Sequence, residues 1–441
     1  MREIKLTSGE LISALLRISE TEVVCILDSC GVGHLGSHLL IAGVRPADSI
    51  EISDPNANGT LKFLDDKRSS GLAGIFTLSY DLGLKLQNIS GPARPSASDE
   101  PDVYLSLFEV LIIHDYASRQ TYLIGNEKQF DRVAKLIADH SHSRQETPGE
   151  IGHGAKVTSN FTRDEYVAAV ERVREYIRSG DTYQTNLTQR LTFQLPDGTT
   201  PQCIFERLRR DHPAPFAAFL TRKASTVISA SPERFFRIRR NGHIEASPIK
   251  GTRPRGNTPE VDARLRRDLT TSEKDRAENT MIVDLLRNDM GRVCEFGSVK
   301  VEKLCDIEEH PTLLHLVSTI VGRLRPDTKF SEIIQAVFPC GSITGAPKLR
   351  TMEIIGEIEP DRRGLSMGAI GCFLPEKWPA VDETLVDVSV AIRTMVIKNR
   401  EGSFNVGGGI VIDSDPAKEY DESLLKAKAL LSAIGAGFDS H

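Results

Sequence analysis

Residues 247–256 read Ser-Pro-Ile-Lys-Gly-Thr-Arg-Pro-Arg-Gly, and Lys250 in this stretch stands directly before a turn-forming glycine. A lysine in water has a pKa of about 10.4, so it is a poor nucleophile at neutral pH. Burial or nearby positive charge lowers that pKa, and Arg253 and Arg255 follow closely along the chain. Taken alone, Lys250 is either an activated amine or an ordinary solvated lysine of a loop.

Composition limits the possible classes of protein. The chain has 441 residues, enough for two or three domains or for one large body, and its net charge of −6 shows no basic excess. Nucleic acid is therefore not expected as a partner. A charged N-terminus and the lack of a run of about 18 apolar residues predict a cytoplasmic protein without a membrane partner. The seven cysteines have no C-x-x-C spacing, so neither a disulfide framework nor a zinc site is expected.

Apolar and polar patterns divide the chain into two regions. Apolar runs at 20–27 and 103–113 predict strands, so we expect a β-rich N-terminal region over residues 1–150. A polar stretch with Gly and Pro at 141–159 predicts a surface linker. A second region is expected to occupy residues 160–435.

The second region begins with a predicted helix and a predicted strand. Thr162 and Glu165 have the spacing of a capping box, which marks a helix start. Polar and apolar residues then alternate from Tyr183 to Phe193, as in a strand with one polar face. The polar face consists of Gln184, Asn186, Thr188 and Arg190. It is either a solvated edge or the lining of a functional cleft.

The last helix of the chain carries aligned charges. Asp415–Pro416 predicts its start, and Glu419, Glu422 and Lys426 then fall on one face. That face is either solvated, with an ion pair between Glu422 and Lys426, or directed into a site. Another predicted helix, 274–289, presents Glu278 beside apolar residues. Carboxylates from two helices would suit Mg²⁺, although sequence alone does not show that the helices meet.

Two features would suit a bound anion. Three successive glycines before the last helix, Gly407, Gly408 and Gly409, would let backbone N–H groups approach closely, or would form a strand with a bulge. Arg393 interrupts an apolar strand pattern. Its planar fork suits bidentate binding of a carboxylate, but an arginine there is also typical of a strand edge or an ion pair.

Separated segments between Asn160 and Leu431 resemble, in the same order, the chorismate-utilising enzymes. They include 231–235 (Ser-Pro-Glu-Arg-Phe), 247–256, 338–348 and the Glu-Tyr-x-Glu pattern that ends at Glu422. The resemblance implies an α+β fold in which large antiparallel sheets form a sandwich with helices packed outside. A lysine at position 250 is similar to the aminodeoxychorismate synthase branch, where anthranilate synthases typically carry alanine.

The resemblance also implies a role for each candidate residue. Lys250 would attack ring C2 of chorismate while Glu233 protonates the departing C4 hydroxyl, and ammonia would then displace the lysine to leave 4-amino-4-deoxychorismate, a precursor of p-aminobenzoate and folate. His315, a core histidine if taken alone, matches the family's active-site histidine. The implied substrate-binding residues are Thr252, Arg393, Gly407, Gly408, Gly409 and Lys426, and the implied Mg²⁺ ligands are Glu278, Glu419 and Glu422.

Two other functions stay open, namely anthranilate synthase component I and a catalytically inactive tryptophan-binding scaffold subunit. Asp28 replaces a glutamate of the family's tryptophan pocket, and residues 364–368 lack the tyrosine of anthranilate synthases. Gln184 stands where isochorismate and salicylate synthases typically carry a lysine. No cysteine has the Gly-x-Cys-x-Gly spacing of a glutamine amidotransferase, so we expect a separate amidotransferase subunit to supply ammonia.

Overall fold

The computed structural model describes residues 1–89, 100–141, 154–309, 313–379 and 381–436. The strands in this part of the chain are β1 (Arg2–Ile4), β2 (Val24–Asp28), β3 (Leu39–Val44), β4 (Asp48–Ile52), β5 (Ala73–Leu78), β6 (Val103–Phe108), β7 (Val110–Asp115), β8 (Gln120–Gly125), β9 (Val157–Ser159), β10 (Gln184–Gln194), β11 (Phe216–Thr221), β12 (Thr226–Ser231), β13 (Arg234–Arg239), β14 (His243–Ala246), β15 (Ile249–Pro254), β16 (Lys300–Glu309), β17 (Leu313–Arg323), β18 (Gly345–Ala346), β19 (Ala369–Phe373), β20 (Thr384–Val390), β21 (Thr394–Lys398) and β22 (Glu401–Ile410). The α-helices are α1 (Ser8–Ile18), α2 (Ala57–Arg68), α3 (Tyr80–Leu86), α4 (Phe130–Ser141), α5 (Arg163–Arg178), α6 (Pro201–Asp211), α7 (Pro259–Thr271), α8 (Glu273–Gly291), α9 (Phe330–Val337), α10 (Lys348–Ile358) and α11 (Pro416–Ala433).

Two large antiparallel sheets contain these strands. The first has the order β1-β8-β7-β3-β2-β11-β12-β21-β22-β10-β18, with β9 paired to β10. The second has the order β15-β17-β14-β13-β20-β19-β5-β6-β4, with β16 paired to β17. Neighbouring strands are antiparallel in both sheets. Consecutive strands can therefore be joined by short turns, as in β11–β12 and β21–β22.

Three large apolar cores among the described residues hold the sheets and helices in layers. One core joins the facing sides of the two sheets and includes Ile113 and Leu220 of the first sheet with Ile75 and Ile370 of the second. A second core packs α1, α4, α6 and α11 on the outer side of the first sheet, and a third packs α2, α8 and α9 on the second. The predicted α+β sandwich with helices outside is confirmed.

The apolar run at 103–113 crosses from one sheet to the other. It forms β6 in the second sheet and β7 in the first, and only Glu109 separates them. Both strands are almost entirely buried because each has one face against the core between the sheets and the other under helices. The prediction of one strand was therefore wrong, since a continuous apolar run does not show where a chain changes sheets.

Local signals at helix starts are confirmed. The Thr162 hydroxyl accepts a hydrogen bond from Glu165 N, and the Glu165 carboxylate accepts one from Thr162 N, so the capping box at α5 is complete. At α11 the Asp415 carboxylate accepts hydrogen bonds from the next backbone N–H groups, with Pro416 in the first turn. No helix of the described ranges is long and apolar enough to cross a membrane.

The division into regions 1–150 and 160–435 stays a prediction. Strands from both sides of that division lie in each sheet, since β2 pairs with β11 in the first sheet and β5 pairs with β19 in the second. Most of the linker predicted at 141–159 lies outside the described residues.

Candidate active site

A β-bulge presents Lys250 at one end of the second sheet. The register of β15 against β17 shifts after Ile249, so that two residues of β15 lie opposite one residue of β17. The two residues are Lys250 and Gly251. Gly251 has a φ of +84°, and a Cβ at this position would lie only 2.8 Å from Leu269 Cδ1. Both backbone and packing therefore require a glycine beside the lysine.

The arginines near Lys250 in sequence do not supply free positive charge to it. Arg253 pairs with Asp268 at 2.6 Å and with Asp275 at 3.0 Å. Arg255 pairs with Asp262 at 2.8 Å. Carboxylates neutralise both guanidinium groups, so the predicted help of these arginines in activating the lysine is not supported.

Glu233 and Lys250 meet at one residue, Ser342. Glu233 is buried between β12 and β13, and this burial raises its pKa, while the Ser342 hydroxyl and the charge of Lys250 act in the opposite direction. The carboxylate atom Oε1 of Glu233 has no hydrogen-bond partner in the described ranges. Lys250 Nζ donates to the Ser342 carbonyl oxygen at 3.4 Å. A buried carboxyl group with a raised pKa and an amine thus lie together, as acid-assisted attack by an amine requires.

His315 and Thr252 lie beside this pair on facing strands. They are register partners in β17 and β15, and the Thr252 hydroxyl and His315 Nδ1 are 2.9 Å apart. His315 is buried, whereas Thr252 is exposed. The threonine therefore fixes one ring nitrogen of a histidine that adjoins the Lys250 bulge.

The carboxylates of α8 and α11 influence one another electrostatically. Burial raises the pKa of Glu278, and the negative charge of Glu419 adds to that rise. Burial also raises the pKa of Glu419, with a further contribution from Glu422, although Glu419 accepts a hydrogen bond from Ser414 at 2.6 Å. The charge of Lys250 acts on both Glu278 and Glu422. The two helices therefore lie within electrostatic range of each other and of the lysine, which the sequence alone did not show.

These glutamates are not arranged alike. Glu419 is buried, whereas Glu422 is exposed. Glu422 forms an ion pair with Lys426 at 2.9 Å, as one of the two interpretations of this helix face predicted. Partial desolvation by the surrounding chain would raise the pKa of Glu422, but the charge and the hydrogen bond of Lys426 outweigh this and lower that pKa. In the described ranges no three His, Cys, Asp or Glu side chains form a ready metal-ligand set.

Other groups approach all three glycines of β22 closely, and at Gly407 the neighbour is backbone. A Cβ at Gly407 would lie 1.9 Å from Leu187 O, and a Cβ at Gly409 would lie 2.2 Å from Gln184 Nε2. A Cβ at Gly408 would lie 3.3 Å from both Glu419 Oε2 and Lys426 Nζ. Lys426 Nζ also donates to Gly407 O at 3.1 Å. Of the two interpretations, the one that placed these glycines in a strand is right about the strand but not about the bulge, because the register with β10 is regular throughout.

Arg393 occupies a bend, not a strand as its apolar neighbours indicated. It lies between β20 and β21 with a φ of +49°, and its carbonyl accepts a hydrogen bond from Ala230 N. Desolvation alone lowers its pKa, without a compensating carboxylate in the part of the chain described, yet the residue is accessible to solvent. A guanidinium group without a neighbouring carboxylate suits a negatively charged ligand.

The polar row of β10 is buried, so its interpretation as a solvated edge is wrong. The strand lies between β22 and β18, and Thr188 donates to the Glu359 carboxylate through both its N–H and its hydroxyl. Gln184 is fully buried, and neither end of its amide has a hydrogen-bond partner in the described ranges. An unpaired buried amide is costly unless a ligand or water completes its bonds.

Three residues of this region were missed by sequence reasoning. Lys274, in the first turn of α8, acts electrostatically on Glu278, Glu419 and Glu422. Ser342 contacts both Lys250 and Glu233, and Arg363 is a fully enclosed cation behind Ser342. Ser342 lies inside the segment 338–348, which resembles the chorismate-utilising enzymes. That resemblance was the signal in the sequence that could have pointed to Ser342.

Fold and site together define a class of proteins, the chorismate-binding enzymes. The model of that family matches residues 28–432, and the chain belongs to this family.

Its relatives include two kinds of enzyme. Anthranilate synthase component 1 1 of Haloarcula marismortui is 38% identical over 424 residues, covering 89% of this chain and 84% of that protein. Aminodeoxychorismate synthase component 1 of Salmonella typhimurium is 40% identical over 366 residues, covering 82% and 76%. Among solved structures, anthranilate synthase component I of Streptococcus pneumoniae has a TM-score of 0.77 at 26% identity, covering 90% of this chain and 93% of that one.

Proposed function

We propose that this chain converts chorismate and ammonia to 4-amino-4-deoxychorismate, with Lys250 as a covalent nucleophile. The observation that carries the proposal is the convergence of Lys250 and Glu233 on Ser342. Curated relatives named aminodeoxychorismate synthase component 1, from Salmonella typhimurium and Bacillus subtilis, support it at 40% and 37% identity.

The reaction proceeds in two displacements. The neutral Lys250 amine forms a bond to ring C2, the ring double bond shifts, and the C4–O bond breaks as Glu233 protonates the departing hydroxyl. Ammonia then forms a bond to C4, the double bond shifts back, and the C2–N bond to Lys250 breaks. The Glu233 carboxylate takes the proton that the new amine loses, so the net change is replacement of hydroxyl by amine with release of water.

The remaining residues bind the two carboxylates of the substrate. Arg393 and the backbone at Gly407, Gly408 and Gly409 receive the enolpyruvyl carboxylate, with positive charge from Lys426. Thr252 and His315 line the same site.

Glu278, Glu419 and Glu422 are the residues that would hold Mg²⁺, since carboxylate oxygens are its preferred ligands, although they do not form a ready ligand set in the described ranges. Two of these three carboxylates have raised pKa values through burial and mutual repulsion, and a divalent cation relieves both effects. Mg²⁺ bound there would supply positive charge for the ring carboxylate of chorismate.

Ammonia comes from a separate amidotransferase subunit. The cysteine nearest to an amidotransferase pattern, Cys340, is buried, and this burial raises its pKa to about 12, so its thiol is not a nucleophile at neutral pH. The chain covers only 50% of a relative from Streptomyces griseus named simply aminodeoxychorismate synthase. All seven cysteines are free thiols, which suits the cytoplasm.

Anthranilate synthase component I is the second candidate, because such a relative aligns over 89% of the chain. The two activities differ in product. Purified chain is incubated with chorismate, Mg²⁺ and ammonium at alkaline pH, and the products are separated and identified by mass. Aminodeoxychorismate, which retains the enolpyruvyl group, supports the proposal, whereas anthranilate with released pyruvate supports the rival.

The scaffold alternative predicts no turnover in the same experiment. A tryptophan-binding role also has little support at Asp28, whose carboxylate is already engaged. It pairs with Arg209, accepts a hydrogen bond from Tyr116 at 2.8 Å and accepts one from Cys30 N at 2.8 Å.

A further inference from the structure

We propose that Arg363 is a positioning residue for the reaction, because it holds the turn on which Lys250 and Glu233 converge. The inference rests on the proposed function. The turn is the 3-10 segment Gly341–Ile343, whose middle residue is Ser342.

Arg363 connects this turn to the neighbouring strand through its guanidinium group. Its Nη1 donates to Ile343 O at 3.0 Å, and its Nη2 donates to Asn186 O at 2.6 Å. Ile343 directly follows Ser342, and Asn186 belongs to β10. The guanidinium group therefore braces the turn against the strand, in addition to the backbone hydrogen bond from Asn186 N to Thr344 O at 2.8 Å.

Glu359 fixes the orientation of that guanidinium group. Arg363 Nε and Nη2 donate to the two carboxylate oxygens of Glu359 at 2.9 and 2.7 Å. Glu359 also accepts hydrogen bonds from Thr188 N and the Thr188 hydroxyl at 2.8 and 3.0 Å. The Tyr80 ring covers the guanidinium face at 4.6 Å from its centroid. Arg363 is 1% exposed, so water does not replace these contacts.

A lysine at this position would keep the positive charge but would lose the planar guanidinium group with its several N–H donors. It would not reach both carbonyl oxygens and both carboxylate oxygens at once, so the Ser342 turn would gain freedom relative to β10. Displacements of about 1 Å in reacting groups cost about a hundredfold in rate. Arg393, a proposed substrate-binding group, lies between β20 and β21 and would stay in place.

The test compares the kinetics of Arg363→Lys and wild type at constant free ammonia. We expect kcat to fall about a hundredfold, while KM for chorismate changes less than about twofold. The alkaline limb of the kcat–pH profile should also move to higher pH by about half a unit or more. Both the Ser342 hydroxyl and the Lys250 charge lower the pKa of Glu233, and both effects weaken when the turn moves.

A matched control is Arg222→Lys. Arg222 is also buried, pairs with Glu100 at 2.7 Å, bonds Thr77 at 2.7 Å and lies against the Tyr104 ring at 5.0 Å, but it has no contact with the turn. This variant should lose stability without a change in kcat or in the pH profile. If Arg363→Lys shows the same result as Arg222→Lys, Arg363 is only structural and the inference is wrong.

A second variant covers the case in which Arg363→Lys does not fold. Glu359→Gln keeps the shape of the partner but removes its charge, and it should move the alkaline limb in the same direction. An unchanged limb in that variant contradicts the inference.

A separate readout distinguishes failure of the inference from failure of the proposed function. Reductive methylation of Lys250 is followed by mass analysis of the peptides. It should be faster in Arg363→Lys than in wild type, because the hydrogen bond from Lys250 to Ser342 weakens. If wild type forms no aminodeoxychorismate, the function fails, but this difference in methylation still tests the positioning role. Equal methylation rates in the two proteins would contradict it.

Discussion

The Lys250 amine lies 3.4 Å from the carbonyl oxygen of Ser342, at the long end of hydrogen-bond distances. This contact orients the amine without holding it tightly. The hydroxyl of the same serine reaches the buried carboxyl of Glu233. The nucleophile and the acid are therefore both positioned by one short turn, and the chemistry that we propose depends on that positioning.

Replacing Lys250 tests the nucleophile. Lys250→Ala should lower aminodeoxychorismate formation about a thousandfold or more, because the amine is removed, while the fold is kept since only a half-buried side chain is truncated. Product yield and thermal unfolding are measured side by side. Lys303→Ala, on the exposed strand β16, is the control and should retain full activity. Turnover of Lys250→Ala at the wild-type rate would refute the covalent mechanism.

Replacing the glutamates tests the cation site. Glu278→Gln and Glu422→Gln should each weaken Mg²⁺ binding about tenfold or more, because an amide keeps the shape and loses the charge. Calorimetric titration with Mg²⁺ measures the change. Glu273→Gln, in the exposed first turn of the same helix as Glu278, should titrate like wild type. If the Mg²⁺ titration curves of both site variants overlay that of wild type, these glutamates have only a structural role.

Glu233 should make the folded protein less stable at neutral pH. Its folded-state pKa is raised, whereas the unfolded value is about 4.3. Folding stability thus falls as pH rises from the unfolded pKa to the folded pKa, because only the folded state still holds the proton. Glu233→Gln should accordingly be more stable than wild type at pH 7, with a smaller gain near about pH 4, and should lose about a hundredfold or more in kcat.

Urea unfolding of wild type and Glu233→Gln at the two pH values measures this difference. Glu353→Gln, at an exposed position of α10, serves as the control and should show no such pH dependence. A gain in stability that is the same at both pH values would mean that folding does not raise the pKa of Glu233.

Nitrogen supply gives a further prediction. The purified chain should use ammonium salts at alkaline pH, where free ammonia is abundant, and should use glutamine only after a separate amidotransferase subunit is added. The reason is that Cys340 is buried and its pKa is raised to about 12. Product formation from glutamine by the single chain, free of contaminating amidotransferase, would contradict this prediction.

Local features of this protein were predictable from sequence, because short-range chemistry decides them. The capping box at Thr162 and the helix start at Asp415 each depend on residues within one turn. The bend at Arg393 and the change of sheet at Glu109 depend on packing between distant strands, which periodicity does not encode.

The same distinction applies to the site. Lys250, Glu233 and the glutamates of α8 and α11 were identified as candidates, but their approach to one another required the fold. Arg363 was not found, because its partners Ile343 and Asn186 contribute backbone carbonyls, which any residue type provides.

The most direct test of Lys250 as a covalent nucleophile is mass analysis of the protein after incubation with chorismate and Mg²⁺ in the absence of ammonia. The first displacement then occurs without the second. Our account predicts an adduct with the mass of chorismate less one water, located by peptide mapping on Lys250 and absent from Lys250→Ala. Active enzyme that carries no adduct, or carries it on another residue, would contradict the account.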